Sequence, residues 1–89
     1  MNSNNEIYFC KNDLTDDLFN LYKKSFYLAV DTEAMGLIHG RDRLCVIQIS
    51  NEENITTYIK LEINNYSSEK IKLLLEDKQI KKIFHFARF

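Results

Sequence analysis

The order of predicted elements, β-α-β-β-β-α-β, indicates an α/β fold with a mixed sheet. Three consecutive strands are joined by short connections, which predicts an antiparallel meander. The last strand follows a helix, which favours a parallel crossover. At 89 residues the chain is one domain at most. Residues 1–6 are polar and are predicted to form a flexible N-terminus, and residues 7–89 are predicted to form the domain.

The first two elements follow from local patterning. Residues 7–10 form a short apolar run that predicts a strand. Thr15 is a favourable helix N-cap, and two aspartates follow it where the helix dipole is positive. Lys23 and Lys24 stand where the dipole is negative, so the first helix is predicted to end near them.

The remaining elements are three strands, a helix and a last strand. The strands are predicted at residues 26–32, 43–50 and 55–61, and residues 35–42, which contain both glycines, are predicted to be a loop. Residues 64–66 are predicted to turn, and Ser67 or Ser68 to cap the second helix. Residues 82–86 are then predicted to be the final strand.

Two carboxylates end the second predicted strand, and they are the strongest chemical signal in the chain. Side chains at i and i+2 of a strand share a face, so Asp31 and Glu33 should project together with Cα atoms roughly 6.5 Å apart. Paired hard oxygen ligands favour Mg²⁺ or Mn²⁺. The alternative is that this Asp-x-Glu arises by chance, because strands often end in Asp where the chain reaches solvent.

Composition limits the function classes. A net charge of −1 provides no bulk attraction to nucleic acid or to anionic lipid, although bound cations would supply positive charge in a metal-dependent nuclease. Cys10 and Cys45 form no C-x-x-C pair, which disfavours a zinc site and is consistent with a reduced, cytoplasmic chain. No apolar run approaches the ~20 residues that span a bilayer, so no membrane association is expected.

Three stretches of the sequence together resemble one enzyme family. Residues 29–37 (AVDTEAMGL) resemble the first motif of the DEDD 3′–5′ exonucleases, the ribonuclease D type in particular. Residues 43–50 (RLCVIQIS) resemble the second strand of that family, and residues 82–89 (KIFHFARF) resemble the start of its second motif. The resemblance covers nearly the whole chain, and its three parts occur in the family's order and spacing.

The resemblance implies a fold, a site and a reaction. The implied fold is the ribonuclease H-like exonuclease fold, truncated at its C-terminus before the aspartates of the second and third motifs. Asp31 and Glu33 would be catalytic and would bind two divalent cations, Mg²⁺ or Mn²⁺. Met35, Gly36, Leu37 and His85 would contact substrate. The implied reaction is hydrolysis of the 3′-terminal phosphodiester of RNA or single-stranded DNA, with the missing C-terminal half of the domain as a partner and no activity in this chain alone.

Several alternatives remain open on the residues themselves. His85 alternates with two phenylalanines, which favours a half-buried core histidine over a ligand. Met35 fits a core filler as well as a wedge against a terminal base. Arg41 and Arg43 favour a solvated hairpin loop over a phosphate contact. For the whole chain, the alternatives to an exonuclease are a nonenzymatic truncated remnant and a small α/β interaction domain.

Overall fold

The computed structural model describes the backbone of residues 5–38, 42–62 and 68–86, and their side chains except those of residues 34–38, 42–44 and 86. The elements follow the predicted order: β1 (Glu6–Lys11), α1 (Asp16–Lys23), β2 (Tyr27–Ile38), β3 (Asp42–Asn51), β4 (Ile55–Glu62), α2 (Glu69–Glu76) and β5 (Lys81–Phe86). No helix within these ranges is long and apolar enough to cross a membrane.

The strands form one mixed sheet in the order β1-β4-β3-β2-β5. Strands β2, β3 and β4 pair antiparallel, as the short connections predicted. Strand β5 pairs parallel with β2, which confirms the crossover through α2. Strand β1 pairs parallel with β4 and begins at Glu6, inside the segment predicted to be flexible.

Both helices pack on one face of the sheet. Alternate residues of the central strands point to that face and are buried, because the side-chain period of a strand is two. The core comprises residues from both helices, the three central strands and the segments beside the helices: Leu14, Leu18, Tyr22, Leu28, Val30, Ile47, Ile49, Ile55, Ile59, Ile71, Leu74 and Ile80. The opposite sheet face has no buried residue among the described side chains, and we call it the open face.

The predicted loop at residues 35–42 is wrong. Strand β2 continues to Ile38 and β3 starts at Asp42, so residues 35–38 and 42 of that stretch lie in strands. Met35 pairs with Leu44 and Ile38 with Asp42, with a register irregularity between the two pairs. The irregularity contains Gly36, which explains why a glycine that signalled a loop lies inside a strand.

Ser68, one of the two serines predicted to cap α2, is its N-cap residue, which confirms the predicted start of the helix. Its side chain makes no capping bond, however, and its hydroxyl donates to the Asn12 carbonyl instead. The Asp13 carboxylate accepts hydrogen bonds from the backbone N–H groups of Lys70, 3.0 Å, and Ile71, 3.1 Å. A residue distant in sequence therefore satisfies the first amides of this helix. The predicted turn at residues 64–66 lies outside the described residues.

Candidate active site

Asp31 and Glu33 lie in the middle of β2, with β3 on one side and β5 on the other. Leu28 and Val30 of the same strand are buried against the helices, so the alternate residues Asp31 and Glu33 project from the open face. Asp31 is half-buried and Glu33 is exposed. A central strand fixes the position of both carboxylates while leaving them accessible to solvent and ligand.

The strands on both sides of β2 bring polar side chains next to Asp31. Gln48 of β3 and His85 of β5 are its direct partners across the sheet, and partners in register share a face. A shallow cleft of about 270 Å³ opens here, and it is lined by Ala29, Val30, Asp31, Gln48, Ser50 and His85. The cleft therefore combines a carboxylate, an imidazole, an amide and a hydroxyl on one surface.

The described residues place no cation beside the two carboxylates. The ion pairs within those ranges involve Lys11, Lys23 and Lys70, and none of them includes Asp31 or Glu33. Two neighbouring carboxylates without a basic partner fit a hard divalent cation, which relieves their mutual repulsion. No group of three His, Cys, Asp or Glu residues able to hold a metal occurs among the residues described.

The predicted substrate contacts fall into two groups. Met35, Gly36 and Leu37 continue β2 directly beyond Glu33, but their side chains lie outside the described residues. His85 is described, and the alternative of a half-buried core histidine is wrong for it. His85 is exposed on the open face because it shares the register position of Asp31 on a strand at the edge of the sheet.

Gln48 is a site residue that the sequence reasoning did not select. It pairs with Asp31 and lines the same cleft. The sequence does contain a signal for Gln48, since this glutamine interrupts an apolar strand between Ile47 and Ile49. On a strand with one face in the core, such a polar residue must project from the other face.

Comparison with known proteins resolves the family. A family model described as 3′–5′ exonuclease matches residues 7–89. The chain belongs to the 3′–5′ exonuclease family. This confirms the resemblance to DEDD exonucleases, and the ribonuclease H-like α/β fold is confirmed by solved structures.

Solved structures that are about one-third identical in sequence share the fold of this exonuclease chain. Brucella melitensis NrnC is 33% identical with a TM-score of 0.71, and the match covers 90% of this chain and 38% of that one. The same protein with bound Mg²⁺ gives the same values. NrnC bound to pGG is 32% identical with a TM-score of 0.72, covering 92% of this chain and 39% of that one. No curated protein matches the sequence.

The coverage limits what these relatives imply. The chain spans less than two-fifths of the length of the NrnC structures it matches. Nine-tenths of this chain is aligned with the NrnC structure. The activity of the longer relatives is therefore a basis for a proposal about this exonuclease chain.

Proposed function

We propose that the chain provides the Asp31–Glu33 part of the active site of a ribonuclease D-like 3′–5′ exonuclease. The substrate is the 3′ end of RNA or single-stranded DNA, and the product is a nucleoside 5′-monophosphate. The observation that best supports this is the projection of both carboxylates from the open face of an exonuclease-type sheet, with no basic side chain paired to them among the described residues.

Asp31 and Glu33 would bind divalent cations, Mg²⁺ or Mn²⁺, two in a complete site. Bound cations would supply a nucleophilic hydroxide and charge neutralisation at the scissile phosphate. The carboxylates themselves position the cations, and the central strand β2 holds both carboxylates in one orientation. The Mg²⁺-bound structure of NrnC supports this assignment.

Substrate positioning is proposed for the residues around the carboxylates. Met35, Gly36 and Leu37 continue the strand beyond Glu33 and would contact the terminal nucleotide. His85 lies beside Asp31 in the cleft, where an exposed imidazole can hydrogen-bond phosphate or water. The pGG-bound structure of NrnC supports a nucleic acid ligand.

A complete site requires more carboxylates than this pair. Two divalent cations need about four carboxylates for charge balance, and no third acidic, His or Cys ligand joins the pair among the described residues. We therefore propose that the C-terminal half of the domain is the necessary partner. We also propose a cytoplasmic location, which the two free, half-buried cysteines support.

The test compares the 89-residue chain alone with the chain co-expressed with the product of the coding sequence downstream of Phe89. With a 5′-labelled oligonucleotide and Mn²⁺, we expect no shortening by the chain alone and stepwise 3′ shortening by the combination. Asp31→Asn and Glu33→Gln should each abolish shortening in the combination. Glu53→Gln is the matched control. Glu53 is exposed at the β3–β4 turn, so this substitution should leave shortening unchanged.

Other outcomes would contradict the proposal. Shortening by the combination that persists in Asp31→Asn would show that the carboxylate pair is not the active site. Shortening by the 89-residue chain alone would overturn the requirement for a partner. No shortening by any combination would favour the nonenzymatic remnant or the small α/β interaction domain.

A further inference from the structure

The open face has a second chemical cluster, located three strands from Asp31. Phe9 of β1 and Tyr58 of β4 are partners in register, and their rings stack with centroids 5.6 Å apart and an interplanar angle of 17°. Phe9 is 78% exposed. We call these two residues, with Lys11 and Lys60, the aromatic platform.

The platform and the candidate active site lie on the same row of the sheet. Phe9 pairs with Tyr58, Tyr58 with Gln48, Gln48 with Asp31, and Asp31 with His85. The row therefore crosses all the described strands on the open face. At the usual spacing between strands, Phe9 is about 14 Å from Asp31.

The platform also contains two lysines. Lys11 and Lys60 are partners in register, two residues beyond Phe9 and Tyr58 on the same face. Lys11 is 3.5 Å from Glu62 in an exposed ion pair, which leaves its ammonium largely solvated. Lys60 is exposed and takes part in no ion pair among the described residues.

We infer that the aromatic platform binds bases of a single-stranded nucleic acid whose 3′ end occupies the Asp31–Glu33 site. An exposed ring backed by a second stacked ring offers a π-face to a nucleobase, and the neighbouring lysines match the charge of the phosphates. At the roughly 3.4 Å rise of stacked bases, a distance of about 14 Å corresponds to at most about four nucleotides. The platform would therefore hold bases upstream of the terminal nucleotide.

Charge favours a single-stranded nucleic acid over two other possible ligands of the aromatic platform, a second copy of the chain and an apolar protein segment. A second copy of the chain stacked on the platform would bring Lys11 and Lys60 against their own counterparts, and like charges repel. An apolar segment packed over Phe9 would bury the Lys60 ammonium without an ion-pair partner among the described residues. A polyanion with flat bases satisfies both the rings and the lysines.

The direction of the bound strand, with its 3′ end at the Asp31–Glu33 site, rests on the proposed function. The test uses Trp fluorescence, because the chain contains no Trp. Phe9→Trp introduces a single reporter at the platform. Phe26→Trp introduces one at a residue that is 80% exposed and directly precedes β2. Adding hexa-adenylate should quench Phe9→Trp and leave Phe26→Trp unchanged. An abasic oligomer of the same length should quench neither, because stacking requires bases.

Affinity provides the second measurement. Phe9→Leu keeps an apolar side chain but removes the π-face, so it should weaken binding of labelled hexa-adenylate by about tenfold, while Phe26→Leu should not change it. Lys60→Met should weaken binding and reduce its dependence on salt.

The outcomes separate this inference from the proposed function. Phe9-dependent binding that is independent of Mg²⁺ and of Asp31→Asn would support the platform and count against the exonuclease site. Wild-type affinity in Phe9→Leu, or an unquenched Phe9→Trp, would overturn the platform and leave the proposed function intact. A blue-shifted, unquenched Phe9→Trp emission in the presence of the C-terminal partner would overturn it in favour of a protein segment over Phe9.

Discussion

Tyr22 of α1 connects a helix to the sheet through its hydroxyl group. The Tyr22 hydroxyl oxygen lies 2.8 Å from Thr57 Oγ1, and 3.1 Å and 3.2 Å from the carbonyl oxygens of Ile55 and Ile49. Tyr22 and Thr57 are fully buried, so each hydroxyl needs its partner within the protein. Burial raises the pKa of Tyr22 to about 12.

Tyr22→Phe should therefore destabilise the protein in a manner that depends on pH. At pH 7 we expect a loss of about 1–3 kcal/mol in the free energy of unfolding, because Thr57 and two carbonyls lose a buried partner. The pKa of Tyr22 is higher in the folded than in the unfolded chain, so its stabilisation is complete below pH 10 and is lost as the pH rises toward 12.

Urea unfolding of wild type and Tyr22→Phe between pH 7 and pH 12 measures this effect. The difference in the free energy of unfolding between wild type and Tyr22→Phe should narrow by up to about 3 kcal/mol above pH 10. Tyr27→Phe is the control, since Tyr27 is exposed on the surface. If the free energy of unfolding of wild type exceeds that of Tyr22→Phe by the same amount up to pH 12, burial does not hold Tyr22 in its protonated form.

At the level of elements, Asp13 joins the start of α1 to the start of α2. Its carboxylate accepts from the Leu14 amide at 2.8 Å and from the first amides of α2. Its carboxylate charge also lies at the positive end of the α2 dipole. The sequence offered Ser67 or Ser68 as local caps, and nothing local indicates that an aspartate more than fifty residues away would replace them.

Asp13→Ala should weaken α2 and its contact with the sheet. We expect a loss of about 1–2 kcal/mol, comparable to the removal of a helix N-cap, and a melting temperature lower by roughly 4–16 °C. Asp17→Ala, in the first turn of α1 and exposed, should cost only a few tenths of that amount. Equal effects of the two substitutions in thermal unfolding would refute a capping role for Asp13.

The sequence predicted which helices and strands form more accurately than it predicted where they end and which strands are adjacent in the sheet. Strand β2 was identifiable because its apolar run leads into Asp31 and Glu33, and their common face followed from the period of a strand. The extension of β2 to Ile38 was not identifiable, because Gly36 gives the same signal in a loop and in an irregular hairpin. The exposure of His85 depends on which strand flanks β2, and that is set by tertiary pairing.

At the level of the whole molecule, each edge strand of the sheet carries exposed apolar residues. Strand β1 and strand β5 are the edge strands. Ile7 and Phe9 are exposed on β1, and Ile83 is 45% exposed on β5. Exposed apolar edge strands recruit other strands, so we expect the 89-residue chain to self-associate.

Ile83→Lys should reduce this association, because a charge on an edge strand opposes pairing with another chain. The cost in folding stability should be small, since the side chain is about half exposed. Leu73→Lys is the control, because Leu73 is 53% exposed and lies on helix α2 and not on an edge strand. Size-exclusion chromatography with hydrogen exchange measures the outcome, and a wild-type monomer with strong amide protection at residues 82–86 would contradict the prediction.

Direct binding of Mn²⁺ tests the central claim that Asp31 and Glu33 form part of a metal site. Electron paramagnetic resonance of free Mn²⁺ during titration measures the bound fraction. We expect weak binding, with a Kd of about 0.1–1 mM or weaker because water would fill most of the coordination shell. Asp31→Asn and Glu33→Gln should abolish it, and Glu53→Gln should leave it unchanged. Tight binding, with a Kd near micromolar that survives Glu33→Gln, would place the metal elsewhere and contradict the account.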